Sequence, residues 1–359
     1  MAGGSNSKAT EDGASEGEPA AGAGGEAALT TNPGFDPESV AMTSSFWFSE
    51  DVTDDMVTKF RLNNIMYNGK SQFQRIQVID CAPFGKTLVL DGKSQSAAGD
   101  EFVYHEALVH PAMLLHGNPK RVFIGGGGEG ATAREMLRHR SVEKCIMVDL
   151  DKMVVDVSKD KLPEWGAGCW DDDRLEVYYQ DAHAWLRDYK GPPFDVICMD
   201  IADPIEAGPG YVLYTEEFYR YATTQLAEGG IIVTQSGPGS LNTHEECFTV
   251  IHRTLASAFK HAVPYTVDVP SFGCTWAFTL AFNACAGAAD AAAVVEMSVA
   301  ATDAAIAARI GGGGSSGSSA LRFYDGAAHL GMFGTPKWLR RALDAERRVM
   351  TVDNPVFMI

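Results

Sequence analysis

The chain has 359 residues, 45% of them hydrophobic, and carries a formal net charge of −18. Residues 1–45 account for −6 of this charge, so the rest of the chain is acidic as well. An acidic surface repels nucleic acid and anionic membranes and attracts cationic ligands, although it also serves solubility alone. No run of about 18 apolar residues predicts a membrane span. We therefore expect a soluble protein without nucleic-acid or membrane partners.

Seven cysteines are scattered singly, without a C-x-x-C pair and without a secretory signal before them. This pattern favours free thiols in a reducing compartment. Acidic residues near the N-terminus argue against a transit peptide. The expected location is therefore the cytoplasm.

Residues 1–45 are dominated by Gly, Ala, Ser, Glu and Thr and hold almost no large apolar side chain. Such a segment cannot offset the entropy cost of ordering, so a disordered tail is predicted there. From Phe46 onward, alternating runs such as FQRIQVID and KTLVLDG predict the strands of a β-hairpin. A small N-terminal β-domain is expected over residues 46–100.

From residue 101 the chain alternates short apolar runs with amphipathic segments. Five of the apolar runs are predicted as strands, namely RVFIGG, KCIMVDL, LEVYYQD, FDVICMD and GIIVTQ. Because helical patterns lie between them, we predict a doubly wound α/β sheet of the Rossmann-like, methyltransferase type. This catalytic domain is expected to span residues 101–345.

Three features are predicted near the C-terminus. The segment ADAAAVVEMSVAATDAAIAARI predicts one Ala-rich helix, and the composition of residues 311–319 predicts a flexible linker. The aromatic segment LRFYDGAAHLGMF after the linker is expected to pack back on the domain. Residues 346–359 are expected to form a C-terminal tail.

A glycine-rich loop follows the first strand of the catalytic domain, in RVFIGGGGEGATAREML. Glycine permits a tight turn and close approach of a ligand, and the strand–loop–helix context distinguishes this loop from an ordinary turn. Asp149 stands about 20 residues further on, where a carboxylate accepts hydrogen bonds from ribose hydroxyls. An adenosine-containing ligand is predicted. The glycines expected to approach it are Gly126, Gly127, Gly128 and Gly130.

Two kinds of adenosine ligand fit such a loop, a dinucleotide with its pyrophosphate and an adenosyl sulfonium, which is a cation. Glu129 lies inside the loop, where it would repel a pyrophosphate and attract a sulfonium or an amine. We therefore favour the adenosyl sulfonium. Asp181 and Ala182 follow the third predicted strand, where an acid and a small residue would contact the adenine amino group.

Asp200 ends the fourth predicted strand, and Asp203 precedes Pro204 just beyond it. Open parallel sheets bind their ligands at this position, beyond the carboxyl ends of the strands. A substrate amine with a pKa of about 10 arrives as an ammonium, which must lose a proton before it can attack carbon. We assign Asp200 as the acid–base residue and Asp203 as the anchor of the amine. The alternative is that both serve only as turn and helix caps.

The motifs GGGEG, VDLD, QDA, DIADP and DGKSQSAAGDEFVYHEALVHPA stand in the order seen in the spermidine synthase family. The chain resembles that family over roughly residues 46–283 and 321–345. The resemblance implies transfer of an aminopropyl group from decarboxylated S-adenosylmethionine to a polyamine, without a metal. Within the family, DIADPIEAGPGYVLYT, VTQSGPGS and VPSFGCTWAF resemble thermospermine synthases, which implies spermidine as acceptor and thermospermine and 5′-methylthioadenosine as products. Spermidine or spermine synthase activity stays open, as does the end of spermidine that reacts.

The resemblance also implies roles for single residues. Those implied to contact the donor are Gln74, Glu129, Asp149, Asp181 and Ala182. Asp200 is implied as the catalytic residue. Asp203 is implied as an amine anchor, and Gln95 and Tyr104 as pocket residues near the donor and the amine. Trp276 is expected to line the same groove, with a structural core tryptophan as the alternative. Phe272 stands where spermidine synthases have a tyrosine, and the loss of that hydroxyl disfavours putrescine and suits a longer acceptor.

Two other functions use parts of the same pattern. An S-adenosylmethionine-dependent N-methyltransferase has the same glycine loop and ribose carboxylate, but Glu129 would repel the carboxylate of that cofactor. A catalytically silent adenosyl-binding protein would not need Asp200 and Asp203.

Two further expectations concern metals and assembly. His105 and His110 are five residues apart rather than four, so they do not form the H-E-x-x-H motif, and no metal is expected. A homodimer or homotetramer is expected, because the edges of the N-terminal hairpins are natural contacts.

Overall fold

The computed structural model describes residues 46–53, 55–204, 209–310 and 321–358. The predicted tail over 1–45 and the predicted linker over 311–319 lie outside the described residues. The strands form a five-stranded and a seven-stranded sheet. In chain order they are β1 (Trp47–Thr53), β2 (Met56–Lys70), β3 (Arg75–Cys81), β4 (Gly85–Leu90), β5 (Lys93–Ala97), β6 (Arg121–Gly126), β7 (Lys144–Asp149), β8 (Leu175–Tyr179), β9 (Phe194–Asp200), β10 (Leu226–Pro238), β11 (His261–Val269) and β12 (Cys274–Phe282).

The α-helices connect and cover these strands. In chain order they are α1 (Glu101–His116), α2 (Ala131–Leu137), α3 (Lys152–Lys161), α4 (Pro163–Gly166), α5 (Ala182–Asp188), α6 (Glu216–Gln225), α7 (Phe248–Ala258), α8 (Ala291–Val295), α9 (Val299–Arg309), α10 (Gly326–Phe333) and α11 (Lys337–Ala345). Short 3-10 helices occupy Cys169–Asp171, Pro209–Tyr214 and Pro270–Phe272. In the described parts of the chain, no helix combines the length and the apolar character needed to cross a membrane.

The five-stranded sheet is an antiparallel meander in the order β1-β2-β3-β4-β5. Its β3–β4 hairpin is the one predicted from the alternating runs, and Val78 pairs with Leu88 across it. Both side chains are fully buried and pack with Val154 and Val157 of α3. The alternation of apolar and polar residues along these strands therefore buries one face of the sheet against the helices of the second domain.

The seven-stranded sheet has the order β11-β12-β10-β9-β6-β7-β8. Its strands β10, β9, β6, β7 and β8 are parallel, and β12 and β11 extend it as an antiparallel edge. The chain runs outward from β6 through β7 to β8 and then returns to β9 on the other side of β6. The strand order reverses between β6 and β9, and open α/β sheets bind ligands at such a point. The predicted α/β fold class, with its N-terminal β-domain, is confirmed.

Both faces of this sheet are buried, since successive strand residues alternate between them. Val122 and Ile124 pack in the core cluster on one face, and Phe123 packs in the cluster on the other. All three are fully buried, and burial of one such side chain contributes about 1.5–3 kcal/mol. The apolar run RVFIGG is thus a central strand, as its composition predicts.

The prediction of one long Ala-rich helix over residues 289–310 is wrong. The segment forms two helices, α8 and α9, because the backbone leaves the helical conformation at Ser298. The Ser298 hydroxyl there accepts the Ala301 N–H at 3.2 Å as an N-cap. A serine side chain competes with the helical hydrogen bonds in this way, which outweighs the helical preference of the flanking alanines.

The segment that begins at Leu321 packs back on the catalytic domain, as predicted. The Glu106 carboxylate of α1 accepts three backbone N–H groups at 2.8 Å each, from Arg322, Phe323 and Tyr324. Glu106 is almost fully buried, so these bonds supply the partners that a buried charge requires.

Candidate active site

A cavity of about 320 Å³ opens at the carboxyl ends of β6, β7 and β9. Both sheets contribute to its wall. The N-terminal sheet and its turns supply Phe73, Gln74, Leu90, Asp91 and Gln95, and the second sheet supplies the glycine loop and most of the acidic side chains. The cavity therefore lies at the switch point of the strand order, where the sequence predicts a ligand.

The glycine loop forms one wall of the cavity. Gly126 has a φ of 81°, and a Cβ added there would lie 2.0 Å from the carbonyl oxygen of Asp200. A Cβ at Gly128 would lie 2.7 Å from a carboxyl oxygen of Asp149. These glycines therefore let the loop pass between the ends of β7 and β9. Gly130 differs, because it does not line the cavity; a Cβ there would meet the ring of Trp170 at 2.3 Å.

Asp149, Asp181 and Ala182 line the cavity on the side of β7 and β8, as the sequence predicts for the adenosine end. Burial raises the pKa of Asp149 to about 7, and the nearby charge of Glu129 acts in the same direction. Asp181 accepts the Ala184 N–H at 2.7 Å and thereby caps α5. Its Oδ1 is thus occupied by the helix, and its contact with a ligand stays a prediction.

Two hydroxyl groups hold the Asp200 carboxyl. Tyr104 donates to Oδ1 at 2.8 Å, and Thr132 donates to Oδ2 at 2.5 Å. Burial raises the pKa of Asp200 above the ordinary carboxyl range, and the charge of Glu129 adds to this effect. Because its hydrogen-bond donors are neutral, they orient the carboxylate without neutralising it. Thr132 was not predicted as a site residue, since an isolated threonine at a helix start carries no distinctive signal.

Glu129 is held by a buried histidine. Its Oε1 accepts from Ser96 Oγ at 2.9 Å and from His105 Nε2 at 3.0 Å. The other ring nitrogen of His105 lies 2.6 Å from the Glu101 carbonyl oxygen and 3.0 Å from its carboxylate. Both ring nitrogens thus face acceptors, which requires the imidazolium form.

The charge state of this pair follows from its contacts. Burial opposes the charge on His105, yet its bonds to Glu101 and Glu129 raise its pKa to about 10. Burial likewise opposes ionisation of Glu129, and the hydrogen bond from His105 outweighs it, so the pKa of Glu129 is lowered. His105 was considered only as a metal ligand from the sequence, so its role in keeping Glu129 ionised was not predicted.

His105, Glu129 and Asp200 each place a donor atom within 4.8 Å of the other two. Such a group could hold a metal ion. However, His105 already uses both ring nitrogens, and both oxygens of Asp200 accept hydroxyl bonds. A metal would have to displace a ring-nitrogen bond of His105, whereas an ammonium can add a donor to the carboxylate oxygens of Glu129 and Asp200 without displacing any bond. The arrangement therefore suits an organic cation better than a metal.

Asp203 follows β9 and Asp149 ends β7, so these two lining residues lie on opposite sides of β6. Gln235 Nε2 donates to Asp203 Oδ1 at 3.0 Å and to the Tyr214 hydroxyl at 2.6 Å. Burial raises the pKa of Asp203 to about 6. Gln235, at the end of β10, was not predicted, because its contact with Asp203 depends on the pairing of β10 beside β9.

Gln74, Gln95 and Tyr104 also line the cavity. Gln74 donates to Asp151 at 3.0 Å, which ties the turn before β3 to the start of α3. The Gln95 amide donates to the Lys93 carbonyl at 3.1 Å. These three residues lie where the family resemblance implies contacts, and their roles stay predictions.

Phe272 and Trp276 do not line the cavity. The Phe272 ring packs edge-on against Tyr104, with centroids 5.9 Å apart, and Trp276 packs on Phe272 at 4.7 Å. Both rings thus lie behind Tyr104. Trp276 does not line this cavity, because its side chain packs on Phe272 instead, and its role near the amine stays a prediction. Phe272 can act on the amine only through Tyr104.

Comparisons with known proteins agree with this geometry. Residues 101–287 match the spermine/spermidine synthase domain, and residues 46–97 match the spermidine synthase tetramerisation domain. A polyamine aminopropyltransferase of Aeropyrum pernix is 43% identical over 312 residues, which cover 87% of this chain and 95% of that protein. Thermospermine synthase ACAULIS5 of Arabidopsis thaliana is 46% identical over 236 residues, covering 66% of this chain and 69% of that protein.

A solved structure supports the same assignment. Spermidine synthase in complex with the transition state analogue AdoDATO superposes with a TM-score of 0.73 at 29% identity, over 84% of this chain and 96% of that one. The fold, the sequence relatives and both domain matches agree, and the resemblance predicted from the motifs is confirmed. The chain therefore belongs to the spermine/spermidine synthase family of aminopropyltransferases.

Proposed function

We propose that this protein transfers the aminopropyl group of decarboxylated S-adenosylmethionine to spermidine and releases thermospermine and 5′-methylthioadenosine. The observation that supports it most is the convergence of Glu129, Asp200 and Asp203 on one cavity. Donor and acceptor are both cations, which repel each other in solution. Three carboxyl groups around one cavity offset that repulsion.

The donor is proposed to occupy the β7–β8 side. Asp149 would accept hydrogen bonds from the ribose hydroxyls, while Asp181 and Ala182 would contact adenine. The donor amino group would then extend toward Gln74 and Glu129. Because His105 keeps Glu129 ionised, this carboxylate can bind the ammonium of the donor at neutral pH.

The acceptor amine is proposed to lie between Asp200 and Asp203. Asp200 accepts a proton from the ammonium, and the nitrogen lone pair then attacks the aminopropyl methylene carbon that is bonded to the sulfonium sulfur. The new N–C bond forms as the C–S bond breaks. The electron pair of the C–S bond stays on sulfur, which becomes a neutral thioether. The chemistry needs neither a metal nor a covalent intermediate.

The burial of Asp200 suits this task. A carboxylate at its ordinary pKa of about 4 is a weak base toward an ammonium. Burial raises the pKa of Asp200, which makes its carboxylate a stronger base, and the positive charge lost from sulfur passes to nitrogen as the N–C bond forms. Tyr104 and Thr132 hold the two oxygens, so the carboxylate needs little reorganisation during the reaction.

Spermidine is proposed as acceptor on two grounds. Phe272 carries no hydroxyl behind Tyr104, where the resemblance implies that spermidine synthases use a tyrosine to hold putrescine. A relative that is 46% identical carries the name thermospermine synthase. The experiment is chromatography of the product formed from decarboxylated S-adenosylmethionine and spermidine, under conditions that separate thermospermine from spermine.

The same experiment distinguishes the alternatives. Thermospermine as the main product supports the proposal. Spermine as the main product, or a clear preference for putrescine as acceptor, would instead assign the activity of another member of the family. A parallel incubation with intact S-adenosylmethionine tests for methyl transfer. Methylated spermidine in that incubation would overturn the assignment of the donor.

We also propose that the protein is a homodimer or homotetramer of the cytoplasm. Residues 46–97 match a tetramerisation domain, and that sheet exposes Trp47, Val57 and Ile65 by about half. Exposed apolar side chains of this kind often mark an interface. Light scattering coupled to size-exclusion chromatography measures the state, and a monomer would contradict the proposal.

A further inference from the structure

The C-terminal segment runs along the catalytic domain toward the acceptor end of the cavity. Met350 is fully buried, and its carbonyl accepts the Glu216 N–H at 2.8 Å at the start of α6. The Met350 N–H donates to Thr254 Oγ1 of α7 at 2.9 Å. The segment is therefore fixed at Met350, eight residues before the last described residue.

The end of the segment contacts the loop that carries Asp203. Met358 N–H donates to the Pro204 carbonyl at 2.7 Å. The Phe357 ring packs edge-on against Tyr211, with centroids 5.6 Å apart. Pro204 directly follows Asp203, and Tyr211 belongs to the 3-10 helix that precedes α6. Met358 thus contacts this loop before residues 205–208, and Phe357 contacts it after them.

A second line of contacts leads from Met358 to Asp203 through the protein interior. Met358 Sδ lies 3.9 Å from Cys247 Sγ. A Cβ added at Gly237 would lie 2.3 Å from that sulfur and 3.7 Å from Asp203 Oδ1. Cys247 is therefore packed between Met358 on one side and the glycine beside Asp203 on the other.

Asp203 and the residues before it are also held from within the domain, since Gln235 donates to Asp203 Oδ1 at 3.0 Å. Ile201–Pro204 belongs to no helix or strand, and Pro204 has no N–H with which to bond to its neighbours. The Tyr214 hydroxyl and the Gln235 amide hold Ile201 and Ala202. The carbonyl after Asp203 is held instead by Met358. Side-chain placement at a site depends on such supporting contacts to within about 0.5 Å.

We propose that Phe357 and Met358 are positioning residues for Asp203 and thereby determine how tightly the acceptor amine binds. The inference rests on the proposed role of Asp203 as acceptor anchor. It concerns a part of the chain outside residues 101–287, which match the family domain. The C-terminal residues act on the acceptor end alone, since their contacts lie on the Asp203 loop and not on the glycine loop or Asp149.

The test uses the full chain, four single variants and one double variant. Phe357→Ala removes the ring contact with Tyr211, and Asp203→Asn removes the proposed anchor itself. Val352→Ala is the matched control, because it shortens an exposed apolar residue of the same segment far from the loop. For each variant we would measure the KM for the acceptor, the Kd for 5′-methylthioadenosine and the melting temperature.

Phe357→Ala is expected to raise the acceptor KM by about fivefold, a typical coupling between contacting groups. The Kd for 5′-methylthioadenosine and the melting temperature should stay as in the wild type. Val352→Ala should change none of the three, and Phe357→Leu should recover most of the acceptor affinity. In the Asp203→Asn background, Phe357→Ala should add little, because its effect passes through Asp203.

The outcomes separate the positioning role of Phe357 from the proposed role of Asp203. If Asp203→Asn raises the acceptor KM and Phe357→Ala does not, the positioning role is overturned and the proposed function stands. If Asp203→Asn leaves the acceptor KM unchanged, the acceptor assignment fails and the positioning role fails with it. A Phe357→Ala protein that melts earlier and binds 5′-methylthioadenosine more weakly would show a general structural role instead.

Discussion

The two ends of the cavity are built in different ways. At the donor end, the glycine loop, Asp149 and Asp181 each lie at the end of a parallel strand, and neighbouring strand ends bring them together. At the acceptor end, Asp203 lies in a loop without regular structure. Its position depends on Gln235, Tyr214 and the C-terminal residues of the chain.

We expect this difference to separate binding of the proposed donor from selection of the proposed acceptor. Strand ends are fixed by the hydrogen bonds of the whole sheet, so the donor end is a rigid part of the fold. The acceptor end depends on single side-chain contacts, which one substitution can change without disturbing the sheet. Changes of acceptor within this fold are therefore expected to arise around Asp203 rather than around Asp149.

The largest expected effect belongs to Asp200, which lies between the two ends. Asp200→Asn should lower kcat by at least about 100-fold, since it removes the group that accepts the proton. The Kd for 5′-methylthioadenosine should be nearly unchanged. Steady-state kinetics and calorimetry measure the two quantities, with Asp188→Asn at an exposed site as control. Unchanged turnover would remove Asp200 from the mechanism.

The same variant should not lose stability at pH 8. Burial raises the pKa of Asp200, so the folded protein binds this proton more tightly than the unfolded chain does. The stability that the group contributes at low pH is therefore lost as pH rises through its folded pKa. The amide carries no such charge, and the melting temperature of Asp200→Asn should equal or exceed that of the wild type.

A change at the donor end should affect donor binding alone. Asp149→Asn should weaken 5′-methylthioadenosine binding by about tenfold, because hydrogen bonds to a charged acceptor are about twice as strong as neutral ones. The acceptor KM should not change. Calorimetry and kinetics test this, with the exposed Asp156→Asn as matched control. An equal loss at both ends would mean that the two ends are not independent.

The two ends should also differ in their dependence on pH. Burial raises the pKa of Asp149 to about 7 and that of Asp203 to about 6. Both carboxyls bind ligands in the ionised form, so affinity is lost as pH falls, by up to about tenfold per unit. Donor affinity should decline below about pH 7 and acceptor affinity below about pH 6. Asp203→Asn should weaken only the second decline, which Asp200 shares because burial raises its pKa to about 6 as well, and coincident declines would contradict the assignment.

The smallest effect is expected from deletion of residues 1–45. This segment holds almost no large apolar side chain, so it offers little for the domain to bury. The shortened protein should keep the kcat and both affinities of the full chain, measured side by side. A large loss of activity would show that the segment takes part in the site.

The sequence predicted many of the residues that line the cavity but not the bonds that hold them, and the physical reason is distance along the chain. Gly126 and Asp149 belong to one strand–helix–strand unit, whose spacing is regular enough to predict their meeting. Ser96 reaches Glu129 across 33 residues, and Tyr104 reaches Asp200 across 96. Such bonds form only when separate elements pack, so no local sequence pattern predicts them.

Three further outcomes depend on contacts between separate elements. The side-chain direction of Trp276 depends on the register of β12 beside β10 and β11, which a single sequence does not determine. His105 was considered only as a metal ligand, and its bond to Glu129 joins residues that are 24 positions apart. Residues 346–359 were taken for a tail although half of them are apolar, and their contacts with α6, α7 and Pro204 join residues that lie far apart along the chain.

A crystal structure with 5′-methylthioadenosine and spermidine bound together tests the central claim most directly. We predict an amine nitrogen of spermidine within about 3 Å of both Asp200 and Asp203, with adenosine between Asp149 and Asp181. Carboxyl groups turned away from the amine, or a phosphate ion bound among Glu129, Asp200 and Asp203, would contradict the account.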